Sequence, residues 1–255
     1  MLFATLSRYQ ILKVITLLLG ALALWRHDVP LFSAVIVVSL AIVALGVKIP
    51  QLRFFGPYVC QGLGARRCVA LTFDDGPDKR STPALLELLM KAKVEAAFFC
   101  VGKRVAAHPD LAARIVQEGH LLENHSYSHS NTTNLFTLAR LQGELTQTQT
   151  AIQQASGVAP KLFRPPMGLS NPRIFKAAHA LGLTVVGWTA RGLDTKLTEP
   201  KQIVARIVRG LRPGAIILLH DGNIPTERLL TTVKTLLDTL ATLGYEVVRL
   251  DKLLE

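Results

Sequence analysis

"LTFDDGPDK" (Leu71–Lys79) sets an apolar run directly against two adjacent carboxylates, a Gly-Pro turn and then charge. Neighbouring carboxylates repel, so a chain that places both where a buried strand ends offsets the cost with a cation or divides their roles. The same residues also make an ordinary strand-to-loop exit, since Asp-Gly-Pro is sound turn chemistry. What recurs around the stretch decides between the two. Apolar, β-rich runs stand at Cys68–Phe73, Ala96–Val101, His120–Asn124, Leu162–Arg164, Thr184–Trp188, Ala215–His220 and Glu246–Leu250. Helical patterns separate them at Pro83–Ala92, Pro109–Glu118, Thr137–Ser156, Pro172–Leu181, Pro200–Leu211 and Pro225–Leu243, several opened by Pro and followed by Gly. Near-continuous apolar strands alternating with helices predict a mainly parallel sheet covered by helices, and about seven such units predict a distorted (β/α) barrel. In such barrels chemistry collects at the carboxyl ends of the strands. Polar residues stand there: Asp74 and Asp75 after the first run, His125 after the third, Arg164 closing the fourth, Trp188 the fifth, and His220-Asp221 the sixth.

Upstream of the barrel the composition changes. Tyr9–Trp25 carries a single charge, Lys13, and Val29–Val47 carries none; each approaches the roughly 20 residues that span hydrocarbon. Only Arg26-His27-Asp28 joins them, which predicts an N-terminal transmembrane helical hairpin, with one span plus an interfacial segment as the competing reading. No small-residue cleavage site follows either run, so a retained anchor is expected. The organisation read from the chain is a membrane anchor over residues 1–50, a linker over 51–66 and a catalytic domain over 67–255. A hairpin returns the chain to its starting side. Arg8, Lys13, Lys48, Arg53, Arg66 and Arg67 lie on the domain side against Arg26 in the turn, a bias that favours the cytoplasmic face.

The 255 residues carry 29 Lys and Arg against 18 Asp and Glu, a net charge of +11. Such a balance suits an anionic membrane surface or a nucleic acid. With no aromatic-interleaved basic stripe and no helix-turn-helix signature, the membrane is the expected partner and nucleic acid is not. Cys60, Cys68 and Cys100 lack C-x-x-C spacing and read as small buried hydrophobes, with pairing of Cys60 and Cys68 open in an oxidising compartment.

"NHSYSHS" (Asn124–Ser130) places His125 and His129 four apart, a spacing that on one helical turn brings both imidazoles to the same side. A carboxylate from another strand end would complete a His-His-Asp set with open positions, the arrangement of a hydrolytic metal site. The Asp pair then has a purpose: one carboxylate binds the metal while its neighbour takes a proton from the attacking water. Arg164, in "FRPPMG" (Phe163–Gly168), is a cation able to keep that base ionised, unless it forms a surface salt bridge. His220, at the end of "AIILLHD" (Ala215–Asp221), suits the proton donor to the leaving amine, unless it merely caps its strand.

These residues carry a family resemblance. From about Arg67 to Glu255 the chain resembles the polysaccharide deacetylases, carbohydrate esterase family four, through "TFDDGP" (Thr72–Pro77), "HSYSH" (His125–His129), "RPPMG" (Arg164–Gly168) and "ILLHD" (Ile217–Asp221), in that order. The resemblance implies a distorted (β/α) barrel and metal-dependent removal of an N-acyl group, usually acetyl, from an amino sugar. It makes Asp74 the catalytic base, Asp75, His125 and His129 the metal ligands, Arg164 the partner of the base and His220 the general acid. The implied ion is zinc, with cobalt also known in such enzymes. Met167 stands where the family commonly has Tyr, but the family uses that residue's backbone N–H for the oxyanion, which Met also supplies. In "WTARGLDT" (Trp188–Thr195), Asp194 matches the Asp that orients the acid histidine, whereas Arg191 replaces a second Asp and Thr195 a Trp. Loss of that Trp removes an aromatic wall of the sugar groove. Arg191 suits a substrate bearing phosphate or carboxylate, or a structural ion pair. With Trp188 and Leu218 it completes the candidate substrate contacts; Ile216 and Leu218 share a strand face with His220 and are candidates to touch the acyl methyl.

The expected function is metal-dependent N-deacetylation of a polysaccharide such as peptidoglycan or a chitin-like glycan. Many relatives of that kind work outside the cell, against the charge bias above. The alternatives are deacylation or deformylation of a lipid-linked amino sugar at the membrane, and a non-catalytic carbohydrate-binding membrane protein. Metal-dependent phosphate hydrolysis would call for more carboxylates and two metals.

Overall fold

In the computed structural model, which describes residues 6–64 and 67–255, the strand that ends in the paired carboxylates lies inside a parallel sheet. Arg66, counted among the basic residues above, lies outside the described residues. The chain runs α1 (Arg8–Trp25), α2 (Val29–Lys48), β1 (Cys68–Asp74), α3 (Ser81–Ala92), β2 (Ala97–Cys100), α4 (Gly102–Ala107), α5 (Pro109–Gln117), β3 (Leu121–Asn124), α6 (Leu138–Ser156), β4 (Leu162–Phe163), α7 (Pro172–Ala180), β5 (Thr184–Val185), β6 (Ala190–Arg191), α8 (Pro200–Arg209), β7 (Ala215–His220), α9 (Thr226–Thr242), β8 (Glu246–Val247) and α10 (Leu250–Leu254). The sheet order is β5-β4-β3-β2-β1-β7-β6, with β8 pairing the first residues of β1. It curls into a half-barrel with helices outside, as the alternation of runs predicts. The two-residue strand β6 and the one-and-a-half-turn helix α4 are additions that no periodicity announces.

Side-chain parity sets the two faces of the sheet. Val69, Leu71 and Phe73 point outward, joining Phe98, Ile217 and Leu219 against α3, α5, α8 and α9; Phe73 and Phe98 stack at 5.3 Å. Ala70 points inward, meeting Ala97, Phe99, Leu162, Val186 and Ile216 over a floor made by Leu250 and Leu253 of α10. Each such fully buried aliphatic or aromatic side chain contributes about 1.5–3 kcal/mol. The same period of two carries Thr72 and Asp74 into the barrel.

The segment expected as a linker forms part of the wall. Val59 bridges Val186, taking a hydrogen bond from Gly187 N at 2.8 Å and giving one to Val185 O at 2.9 Å, and Gln61 bridges Ala215. Residues 59–61 thus lie between the ends of β5 and β7, with Tyr58 fully buried behind them. Cys60 in this wall, Cys68 on β1 and Cys100 on β2 are all free thiols, so the Cys60–Cys68 pairing left open by the sequence is not formed.

At the N-terminus, Ser7 and Gln10 form a capping box for α1, and Asp28 caps α2 by accepting from Leu31 N at 2.9 Å. Both helices are long and apolar enough to cross a membrane. They pack antiparallel with Thr16 and Ser39 hydroxyls 2.7 Å apart, while their outer faces leave large apolar residues bare; Trp25 is 80% exposed.

Candidate active site

Asp74 is the last residue of β1 and Asp75 leaves the strand with φ 73°, which turns the second carboxylate aside so that the pair diverges instead of stacking. Gly76 follows because a Cβ there would overlap the Asp221 carboxylate. Asp74 Oδ1 lies 2.6 Å from Arg164 Nη1, both groups buried. Arg164 is held at both terminal nitrogens, while its buried Nε has no partner: Nη1 also donates to the Thr72 hydroxyl at 2.8 Å, Nη2 to the Gly187 carbonyl at 2.8 Å, and the guanidinium lies 4.1 Å above the Phe99 ring. It is a buried partner of Asp74, not a surface salt bridge.

His125 and His129 reach the same place, but not by a helical turn. Residues 125–129 form a loop in which Ser126 and His129 have positive φ (63° and 48°). Glu144 of α6 holds it, accepting from Tyr127 N at 3.0 Å, Ser128 N at 2.7 Å and the Ser128 hydroxyl at 2.8 Å. The polar Ser-rich stretch gains more from these bonds than from the helix its spacing suggests. The ligand atoms of Asp75, His125 and His129 all lie within 4.8 Å of one another, with His125 Nε2 3.6 Å and His129 Nε2 3.2 Å from Asp75 Oδ1. His125 Nδ1 donates to the Arg164 carbonyl at 2.6 Å, a bond that orients the ring with Nε2 aimed at Asp75. Two imidazoles and one carboxylate so disposed fit a divalent ion with positions left open. Burial alone would raise the Asp75 carboxyl, but the hydrogen bond and charge of His125, with His129 and His220, outweigh it and hold the group below the usual carboxylate range. Burial and the neighbouring His125 lower His129.

His220 closes β7 across the pocket. Asp194, itself buried, accepts from His220 N at 2.8 Å and lies 2.9 Å from its Nδ1, which fixes the ring with Nε2 free. Burial opposes the charged form, yet the hydrogen bond and charge of Asp194 raise His220 to about 9, with Asp74 and Asp75 adding to the effect. The imidazolium is therefore the resting form at neutral pH.

A cavity of about 220 Å³ is lined by Asp74, Asp75, His125, His129, Met167, Gly168, Trp188, Arg191, Thr195, Leu218 and His220. Arg164 and Asp194 stand behind Asp74 and His220. Every residue singled out in the sequence as a candidate site group is thus in or against one pocket, except Ile216. That side chain packs a layer lower with Ala70 and Phe99, because one strand step of two residues carries it past the cavity that Leu218 lines. Met167 forms the rim, 47% exposed, with φ 58°. Gly168 has φ 67° and its Cα lies so close to the Trp188 ring that a Cβ would overlap it. Sequence reasoning missed Thr72, Glu144 and the Gly187 carbonyl. Thr72 alone left a signal, sharing the inward parity of Asp74.

A sequence profile described as polysaccharide deacetylase matches residues 62–186. The peptidoglycan-N-acetylglucosamine deacetylase PgdA of Listeria monocytogenes serotype 1/2a is 34% identical over 185 residues, 72% of this chain and 38% of that protein. The chain therefore spans little more than a third of the Listeria protein's length. A peptidoglycan-N-acetylglucosamine deacetylase of Bacillus cereus is 33% identical over 190 residues, 74% of this chain and 88% of the relative. Among solved structures, the Bacillus anthracis CE4 family pseudoenzyme BA3943 superposes with TM-score 0.72 at 29% identity, covering 80% of this chain and 71% of that one. A family 4 acetyl xylan esterase from Clostridium thermocellum, in complex with a cobalt ion, gives TM-score 0.67 at 36% identity over 73% and 89% of the two chains.

Proposed function

Because this chain belongs to the polysaccharide deacetylase family, we propose that it is a membrane-anchored, metal-dependent hydrolase that removes the N-acetyl group from an amino sugar of a peptidoglycan- or chitin-type glycan. The observation that carries the reading is the convergence of an Arg-paired carboxylate, a His-His-Asp set and an Asp-oriented histidine on one pocket. A protein that only bound carbohydrate would have no use for a buried Arg164–Asp74 pair beside a raised His220. Bound by Asp75, His125 and His129, a divalent ion, for which zinc best suits two imidazoles and a carboxylate, would polarise the acyl carbonyl and acidify a water.

The chain's own groups account for the protons. Asp74, held and oriented by Arg164, accepts the proton of the water as its oxygen bonds to the acyl carbon. The Met167 N–H at the rim serves the developing oxyanion. As the carbon–nitrogen bond breaks, His220 gives its proton to the departing amine, leaving acetate and a free amino sugar. Trp188 and Leu218 form the apolar side against which the acetyl methyl packs. In this reading residues 1–50 anchor the chain and residues 67–255 hold the site, with 51–66 as the connection between them.

The test is release of free amine from N-acetylated glycans by the purified full chain, before and after chelation and zinc restoration, beside Asp74→Asn. The expected result is metal-dependent release that the variant lowers by about 100- to 10,000-fold while its metal content stays at one ion per chain. Full activity after chelation, or an Asp74→Asn enzyme as fast as the parent, would refute the assignment.

A further inference from the structure

The hairpin is bonded to the two loops that wall the pocket. Val47, the last apolar residue of α2, accepts from Ser170 N at 3.3 Å, three residues beyond Met167. Gln51, in the turn that follows, donates its Nε2 to the Trp188 carbonyl at 2.9 Å. Gly46 lies against the Phe54 ring, where a Cβ would overlap, and Tyr9 at the start of α1 donates its N–H to Phe54 O at 3.1 Å. The Tyr9 ring packs on Phe55 at 5.2 Å and on Phe54 at 6.1 Å. Aromatic rings with Arg8 and Lys48 at the ends of apolar helices are the composition of a membrane–water boundary. With the hairpin in a bilayer, these bonds would hold the loops carrying Met167 and Trp188, and the pocket rim with them, at headgroup depth.

A second observation is independent of the hairpin. Arg191 pairs in register with Leu218, which brings it to the pocket mouth, and its guanidinium lies 5.5 Å from the Trp188 ring centre. Among the described residues it makes no ion pair, and it is exposed at the mouth of the pocket. A guanidinium at the pocket mouth with no carboxylate partner is complementary to an anion brought by the ligand, and its planar fork matches a phosphate. Thr195 beside it leaves room for that group.

Resting on the reading of the site as an amino-sugar deacetylase, we propose that it takes its amino sugar while the glycan is still joined through phosphate to a lipid, the sugar entering at headgroup depth and the phosphate pairing with Arg191. The reaction then precedes the transferase step that moves the glycan off its lipid. The bonds made and broken are those of the amide hydrolysis; the phosphate bond is untouched.

The test uses the full chain in phosphatidylethanolamine–phosphatidylglycerol vesicles with zinc and three substrates: polyprenyl-diphosphate-linked N-acetylglucosamine in the same vesicles, soluble N-acetylglucosamine 1-phosphate, and neutral chitotetraose. The expected kcat/KM is highest for the lipid-linked sugar, and Arg191→Gln lowers it by about tenfold more than it lowers the value for chitotetraose, as loss of a charge-assisted hydrogen bond requires. Metal content of the variant equal to the parent's shows that the site is folded. If the soluble sugar phosphate or chitotetraose is used as well as the lipid-linked sugar, or if Arg191→Gln leaves the preference unmoved, the inference is overturned and the deacetylase reading stands. Amine release from none of the three overturns both.

Discussion

At the scale of single residues, the site works by giving like groups unlike surroundings. Asp74 and Asp75 are adjacent in the chain, yet one faces a buried guanidinium and the other faces two imidazoles. His220 is likewise set apart from the other two histidines, since Asp194 raises it to about 9 whereas His129 is lowered by burial and by His125. The sign of the resulting pH dependence follows. A raised pKa means the proton donor is present below about 9 and is lost as pH rises through it, so the alkaline limb of kcat/KM should fall near that value. Asp194→Asn removes the hydrogen bond to a carboxylate and its charge, leaving burial, which favours the neutral ring; the limb should move to lower pH. A pH–rate profile of the variant that keeps the parent's alkaline limb would detach Asp194 from this role. The chemistry of these residues was legible in the sequence because short-range motifs carried it. The partners of Arg164 were not, since Thr72, Gly187 and Phe99 come from three separate strands or their ends.

At the scale of elements, the Pro-initiated helices and the runs of β1, β2, β3 and β7 reported themselves within one or two residues, because burial of a continuous strand or a helical face leaves a period in the chain; the runs at Thr184–Trp188 and Glu246–Leu250 form strands only over Thr184–Val185 and Glu246–Val247, and Leu250 opens α10. The two-residue strand β6 escaped although it carries Arg191, because no apolar run surrounds it as longer runs surround the equally short β4, β5 and β8. The histidine loop misled in another way: spacing of four is the same in a helix and in a loop held by Glu144, and only hydrogen-bond partners distinguish them. The loop after β4 makes a measurable case of close approach. Gly168→Ala meets both a left-handed backbone and the Trp188 ring, whereas Gly244→Ala meets a left-handed backbone and open space. The backbone term costs about 1–2 kcal/mol at each position, or roughly 2–8 °C in Tm for a domain of this size. Thermal unfolding should therefore show Gly168→Ala lowering Tm well beyond Gly244→Ala, and equal shifts would mean that the Trp188 wall yields freely.

At the scale of the whole molecule, a catalytic half-barrel and a two-helix hairpin share one seam. Helices whose outer faces are as bare as those of α1 and α2 leave apolar area in water that lipid would cover. The chain should stay with membranes through an alkaline carbonate wash and be released by detergent; release by the wash alone would show that the hairpin is no anchor. Gly46→Leu should preserve that retention but push Phe54 out of its seat, and limited proteolysis should then cut between residues 49 and 57 where the parent resists. By itself the sequence determined the alternation of strands and helices, the two apolar spans and the identity of the reactive groups. Each of these is written in neighbours a few residues apart, through periodicity, turn chemistry and parity along a strand. The tertiary structure alone decided that residues 59–61 enter the barrel wall, that Glu144 folds the histidine loop onto Asp75, and that the hairpin's exit rests on the loops carrying Met167 and Trp188. Those contacts join residues from sixteen to well over a hundred positions apart, and such pairings are chosen by packing and hydrogen-bond satisfaction in the folded chain, for which a local pattern holds no record.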